Sequence, residues 1–277
     1  MRVDWRLGFH RSTALATSLR RYTELPYLID YLQSGELALL NPKAWDDRND
    51  SFYIEEYARA KRLLGIYALC LAEASETYHH WRVFSHGSGG VCIEFDKEKL
   101  IEQVRAVPDL RAEAVQYRTI KSLREQPPAE ADLPFLKRHA FRDEKEFRLF
   151  VCRKMRDTPV LRIPVSPATI KRVTLSPWLP ATVCDQVKKV LKSIKGCEKL
   201  RVFRSTLVEN EDWKKFASAA TDWPLRFMKV VGISRRTSRS WWLNLPTRPK
   251  YLRSTLRLTR WRSARIKPKS ACMLSLT

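Results

Sequence analysis

A chain of 277 residues with 44% hydrophobic and 10% aromatic content carries enough apolar material for a full core, which excludes a disordered polymer. No apolar run approaches the length of a membrane span, and six scattered cysteines without a C-x-x-C pair argue against a structural zinc site and suit a reducing, cytoplasmic compartment. The formal net charge of +22 divides unevenly, because the segment from Arg226 onward holds 14 Lys/Arg and no Asp/Glu, leaving a surplus of 8 on the rest.

Residues 1–19 lack the apolar core of a secretory signal. Their Arg, Ser and Ala content fits an organelle transit peptide or, the reading preferred here, a poorly ordered leader. Residues 20–220 then show regular periodicity. Thr23 can cap a helix with Pro26 in its first turn, and Gly35 ends it. A strand from Glu36 to Leu40 leads into the acidic loop Asn41–Asp50, whose Asp46, Asp47 and Asp50 suit a metal, a ribose hydroxyl or plain solvent. Asp50 is expected to cap a helix from Ser51 to Leu64.

Ile66–Leu71 reads as a strand, and Ser75–Asp96 follows as a helix, a glycine loop and a buried strand. With Ser75 as N-cap and Gly87 as stop, His79, Arg82 and His86 fall at i, i+3 and i+7 on one face. Imidazoles beside a guanidinium suit an anionic substrate; the plainer reading is two solvated histidines with His80 packed in the core. Gly87–Gly90 is a weak phosphate-loop signal, since that motif needs strand, loop and helix in that order.

Asp96 caps a helix to about Val104, and Ala112–Arg118 is an expected strand. After a Pro127-Pro128 loop, a short helix is expected from Leu133 to His139, then strands at Lys145–Arg153, Val160–Val165 and Ile170–Leu175. Pro180 opens a helix to Ile194, Lys199–Ser205 is a last strand, and Glu209–Ala220 a last helix. Helices and strands mix without strict alternation, so the fold class is α+β: a single mixed α/β-sheet domain between leader and tail.

On the strand after Lys145, Glu144, Glu146 and Arg148 are expected on one face, with Phe147 and Leu149 turned to the core. Two carboxylates so placed, after Arg138, His139 and Arg142, could hold a ribose and stabilise a developing cation; a surface ion pair is the bland alternative. The tail, residues 221–277, interleaves Trp241, Trp242, Arg253, Arg257 and Trp261 as single-stranded nucleic acid or an anionic membrane surface would require. An appendage without an evolved role is the preferred reading of it.

These motifs resemble the bacterial "domain of unknown function 2971" family, some of whose members look like parts of phage-defence or abortive-infection loci. The likeness runs through Arg21-Tyr22, Leu32–Leu37, Asn49–Phe52, His80-Trp81, Ser85-His86, Gly90–Asp96 and Asp143–Arg148, and covers about residues 20–215. It departs at Ser51-Phe52-Tyr53, where the family commonly has Pro-Phe-Glu, and at Gly87, where it often has Tyr. A looser likeness, to ADP-ribosyltransferase-type domains, rests on the order Arg21-Tyr22, Ser85-His86, Glu144-x-Glu146. It implies a defence or toxin-type enzyme with NAD as substrate and no other cofactor or metal. Glu146, Glu144, His86 and His80 would then act in catalysis, and Arg21, Tyr22, Arg82, Ser85 and Arg148 in substrate binding. A nucleic-acid-binding module or nuclease, and a non-enzymatic sensor or scaffold, stay open beside it.

Overall fold

In the first third of the chain, β1 (Ser18–Glu24) feeds α1 (Leu25–Ser34), and β2 (Glu36–Leu40) precedes α2 (Arg48–Lys61) and β3 (Gly65–Ala72). The middle holds α3 (Tyr78–Phe84), β4 (Gly90–Asp96), α4 (Lys97–Val104), β5 (Leu110–Ala114), β6 (Gln116–Arg118), α5 (Ile120–Glu125) and β7 (Leu136–Arg138). Then come β8 (Glu146–Arg153), β9 (Val160–Pro164), β10 (Ile170–Leu175), α6 (Ala181–Ser193), β11 (Val202–Arg204) and α7 (Glu211–Val230). This computed structural model describes residues 16–85, 87–154 and 159–230, the last ten by backbone alone. The chain divides at Glu211, and α7 is described by itself.

Nine strands form one mixed sheet in the order β11-β10-β4-β1-β3-β2-β9, with β8 added on β3 and β5 on β8. Only β10 and β11 run parallel within it; β6 and β7 make a separate parallel pair. β8 pairs with β3 along its whole length, from Gly65↔Arg153 to Ala72↔Glu146. A strand has two edges, so β1, at Arg20↔Ala72, and β2, at Leu40↔Ala68, must share the other edge of β3.

Side-chain alternation then sorts the sheet into two faces. Tyr67, Leu69 and Leu71 of β3 and Phe147, Leu149 and Val151 of β8 join Leu28 and Leu32 of α1, Leu100 of α4 and Leu191 of α6 in the main core. The residues between them, Ile66 and Ala68 of β3 and Phe150 of β8, pack instead against Ile54 and Ala58 of α2. A third cluster, Tyr22, Ala72, Trp81 and Cys92, seats α3. The α+β class is therefore the observed one.

Several local expectations change. Glu24, not Thr23, precedes α1. Asp47, not Asp50, caps α2 by accepting from the backbone N–H groups of Asn49 and Asp50. Thr77, not Ser75, caps α3, and that helix stops at Phe84, so the i, i+3, i+7 face does not extend to His86. His86 itself lies outside the described residues. The expected strand at Ala112–Arg118 divides at Val115, whose N–H donates to the Glu146 carbonyl at 2.9 Å. The expected helix at Leu133–His139 is a 3-10 turn, Glu130–Phe135, followed by β7, because Pro134 lacks an N–H to continue an α-helix.

Ser85 ends α3 by donating to the Trp81 carbonyl at 2.8 Å, which brings its side chain against Gly90 at the start of β4. A Cβ on Gly90 would meet Ser85 Oγ at 2.6 Å and Cβ at 2.8 Å. Gly90→Ala should therefore cost about 1–3 kcal/mol in denaturant unfolding, and adding Ser85→Gly should restore most of the loss.

Candidate functional site

The polar groups of β8 are buried beneath α2. Arg148, 0% exposed, is gripped bidentately by Asp50 of α2, with Nη1 3.0 Å from Oδ1 and Nη2 2.7 Å from Oδ2. Its Nε donates to Glu146 Oε1 at 2.8 Å, and Nη1 also donates to the Pro134 carbonyl at 2.6 Å. The Trp45 ring lies 4.9 Å from the guanidinium carbon. Burying these charges costs several kcal/mol per ion unless each is paired and hydrogen-bonded, as here.

Lys137 of β7 joins the other half. Its ammonium lies 2.7 Å from Glu144 Oε2, 3.2 Å from Glu146 Oε2 and 3.8 Å from Asp50 Oδ2. Three carboxylates thus surround two cations, and Arg21 stands behind them with Nη1 donating to the Cys70 carbonyl at 3.2 Å. Glu144 is not on the strand with Glu146. It ends a 3-10 turn, and Lys145 between them adopts a left-handed conformation with φ 45°. The two carboxylates therefore meet Lys137 from different segments.

The pKa values of the two carboxyls are pushed in opposite directions. Burial pushes Glu144 above the usual carboxylate range, and neighbouring Glu146 and Asp50 add to it against the pull of Lys137. Glu146 also feels burial, but Arg148 and Lys137 outweigh it and bring it down to about 2. Burial pushes Asp50 upward despite Arg148. Lys137 stays cationic because Glu146 and Glu144 more than offset its desolvation.

The cluster borders a cavity of about 170 Å³, lined by Asn49, Asp50 and Tyr53 of α2, Arg118 of β6, Ile120 and Leu123 of α5, and Leu136, Lys137 and Arg138 of β7. That holds a ribose-sized fragment and falls short of the 300–1,000 Å³ range of drug-sized ligand sites. Asp50 and Lys137 make its charged inner side. Arg138 is exposed, and Arg118 is held by Ser122 and the Gln126 carbonyl.

The helix bearing the imidazoles touches this cluster without lining the cavity. His80 is buried; its Nε2 lies 3.2 Å from the Glu144 carbonyl, which can only accept, so Nε2 carries the proton. Its Nδ1 then accepts from the Thr77 hydroxyl, and burial lowers its pKa. Tyr22 stacks on this imidazole at 5.3 Å, and burial pushes the phenol far up. The core reading of His80 is thus what the geometry gives. Arg21 has the strand parity of Leu19, opposite to Tyr22, so the two do not share a face. Arg82 is exposed, its guanidinium 4.3 Å from the Trp178 ring and its Nε donating to the Tyr78 hydroxyl at 2.9 Å. Ser85 is committed to the Trp81 carbonyl. Arg148, expected to meet substrate, spends its donors inside the protein.

Two site residues had other assignments in sequence. Asp50 looked like a cap, yet it shares the i, i+4, i+8 face with Ile54 and Ala58, which marks it as inward. Lys137 opened the stretch read as a source of cations beside the carboxylates and fell in the expected helix Leu133–His139, with no role of its own assigned. Among the described residues no group of three or more His, Cys, Asp or Glu could hold a metal ion. Trp241, Trp242, Arg253, Arg257 and Trp261 lie outside the described residues.

No protein-family model and no curated protein matches the chain. The resemblance to the domain of unknown function 2971 family therefore rests on the motifs quoted above. Among solved structures, Thermus sp. 2.9 DarT in complex with ADP-ribosylated ssDNA aligns at 13% identity and TM-score 0.38 over 69% of this chain and 94% of that chain. The same protein in complex with carba-NAD+ and with NAD+ aligns at 11% identity and TM-score 0.37, over 69% of this chain and 96% of that chain. A superposition this loose decides neither fold nor activity.

Two outcomes follow for the buried cluster. Arg148→Met strands two carboxylates and should cost about 3–5 kcal/mol in denaturant unfolding. Glu146, with its folded pKa below the unfolded one, contributes stability above pH 4.5 that is lost as pH falls toward about 2. Stability against pH should therefore be flatter in that window for Glu146→Gln than for wild type.

Proposed function

We propose that the chain is an ADP-ribosyltransferase-like enzyme of the defence or toxin type, acting on a nucleotide-like substrate with NAD as the candidate. The observation that supports this reading is the divided carboxylate pair: Glu144 and Glu146 share one ammonium, yet burial raises the basicity of Glu144 while Arg148 and Lys137 lower that of Glu146. Paired titratable groups driven apart in this way have the electrostatics of an acid/base site.

In the proposed chemistry the C1′–N glycosidic bond breaks and its electron pair leaves with nicotinamide. The ionised Glu146 stabilises the oxocarbenium-like centre. An attacking hydroxyl or water forms the new C1′–O bond, and Glu144, with its elevated basicity, takes the proton. Arg138 and Arg118 at the cavity rim offer guanidinium donors to phosphate. Lys137 lines the cavity and bonds Glu146, whereas neither Glu146 nor Glu144 lines it, so in this proposal the ammonium swings aside for the ribose to reach the carboxylate. His80 acts as a positioning residue, holding the backbone at Glu144, and Tyr22 supports it by stacking.

NAD loss measured with the purified protein tests this reading. Wild type should consume NAD; Glu146→Gln should lower kcat roughly a hundredfold or more, with a thermal melt to establish that the variant is folded. Arg138→Ala should instead raise KM by about tenfold with kcat little changed. Absence of turnover of NAD or any other nucleotide by wild type would remove the enzyme reading and leave the cluster as a structural ion network.

A further inference from the structure

Glu146 lies just past the end of a strand ladder. The last rung between β5 and β8 is Ala114↔Phe147, so β5 has no residue left in register with Glu146. The N–H and C=O of one residue in an antiparallel strand point to the same edge, and both need partners when buried. The Glu146 carbonyl accepts from Val115 at 2.9 Å, where the chain leaves the sheet. Its N–H is taken up by a side chain instead of a strand: it donates to the Tyr117 hydroxyl at 2.8 Å.

Tyr117 is fixed from a second direction. It is the middle residue of β6 and stands in register with Lys137 of β7. Its backbone thus runs beside the residue whose ammonium lies 3.2 Å from Glu146 Oε2, while its hydroxyl holds Glu146 itself. One side chain spans both ends of that ion pair without belonging to the cavity wall. Burial pushes the phenol upward, which keeps the hydroxyl neutral.

We propose that Tyr117 is a positioning residue, which holds the Glu146 backbone, and through it the carboxylate, in place while Lys137 moves aside. The inference rests on the role given to Glu146 above. Glu146 is surrounded by Arg148 of its own strand, Lys137 of β7, the Cys70 thiol of β3, Arg21 of β1, Asp50 of α2 and the neighbouring Glu144. Its low pKa depends on its register with the two nearest cations, Arg148 and Lys137, so a shift of its backbone moves that value toward the ordinary carboxylate range.

Tyr117→Phe removes one oxygen and leaves the ring. It should lower kcat for NAD loss about tenfold and change KM by less than about twofold, because Tyr117 lies outside the cavity wall. The Glu146 carboxyl, followed by NMR on protein with isotope-labelled glutamate, should titrate above its wild-type value of about 2. A variant with wild-type kcat and wild-type titration overturns the proposal, as does one in which KM alone rises. The titration needs no turnover, so it decides the role of Tyr117 even where the wild type leaves NAD intact and the enzyme reading falls. In the wild type itself, the Glu146 amide should exchange with solvent as slowly as that of Leu149 inside the ladder; fast exchange overturns the proposal whether or not the variant folds.

Discussion

The bidentate pairing of Arg148 with Asp50 is the interaction on which the arrangement around the site depends. It connects residues 98 apart in sequence and joins the central strand β8 to α2. Arg148 also accepts no compromise in its surroundings: the Pro134 carbonyl and Glu146 take further donors, so the segment before β7 is drawn in as well. A guanidinium in this position is stable only while all these partners are present, because the attraction of any one pair does not repay the desolvation of both ions. Its bonds link α2 and the segment before β7 to the sheet.

That fixed geometry creates the chemical asymmetry. Glu146 lies inside the reach of both Arg148 and Lys137, while Glu144 meets Lys137 alone and feels the other carboxylates as like charges. One lysine is thus divided between a carboxylate that also has Arg148 and one that does not. The same lysine forms part of the cavity wall, so the element that sets the electrostatics also limits access. His80 belongs to this design through its contact with the Glu144 carbonyl, which ties α3 to the turn carrying that side chain.

Charge is distributed unevenly along the sequence: residues 226–277 hold 14 Lys/Arg and no Asp/Glu, whereas the rest holds 38 Lys/Arg against 30 Asp/Glu.

The sequence alone determined the α+β class, the strands β3, β4, β8, β9 and β10 and the capping of α4 by Asp96, because these depend on local periodicity and nearby backbone donors. It also marked Glu144, Glu146 and Arg148 as a polar group beside a core strand. What it could not contain was the identity of their partners. Asp50 reads locally as a helix cap, and only its burial on the inward face of α2 turns it into the counter-ion of Arg148. Lys137 lies on a three-residue strand with no pattern of its own and gains its role from contacts made across the fold. Pairing of charges distant in sequence is decided by which surfaces exclude water together, and that is a property of the packed chain, not of any window along it.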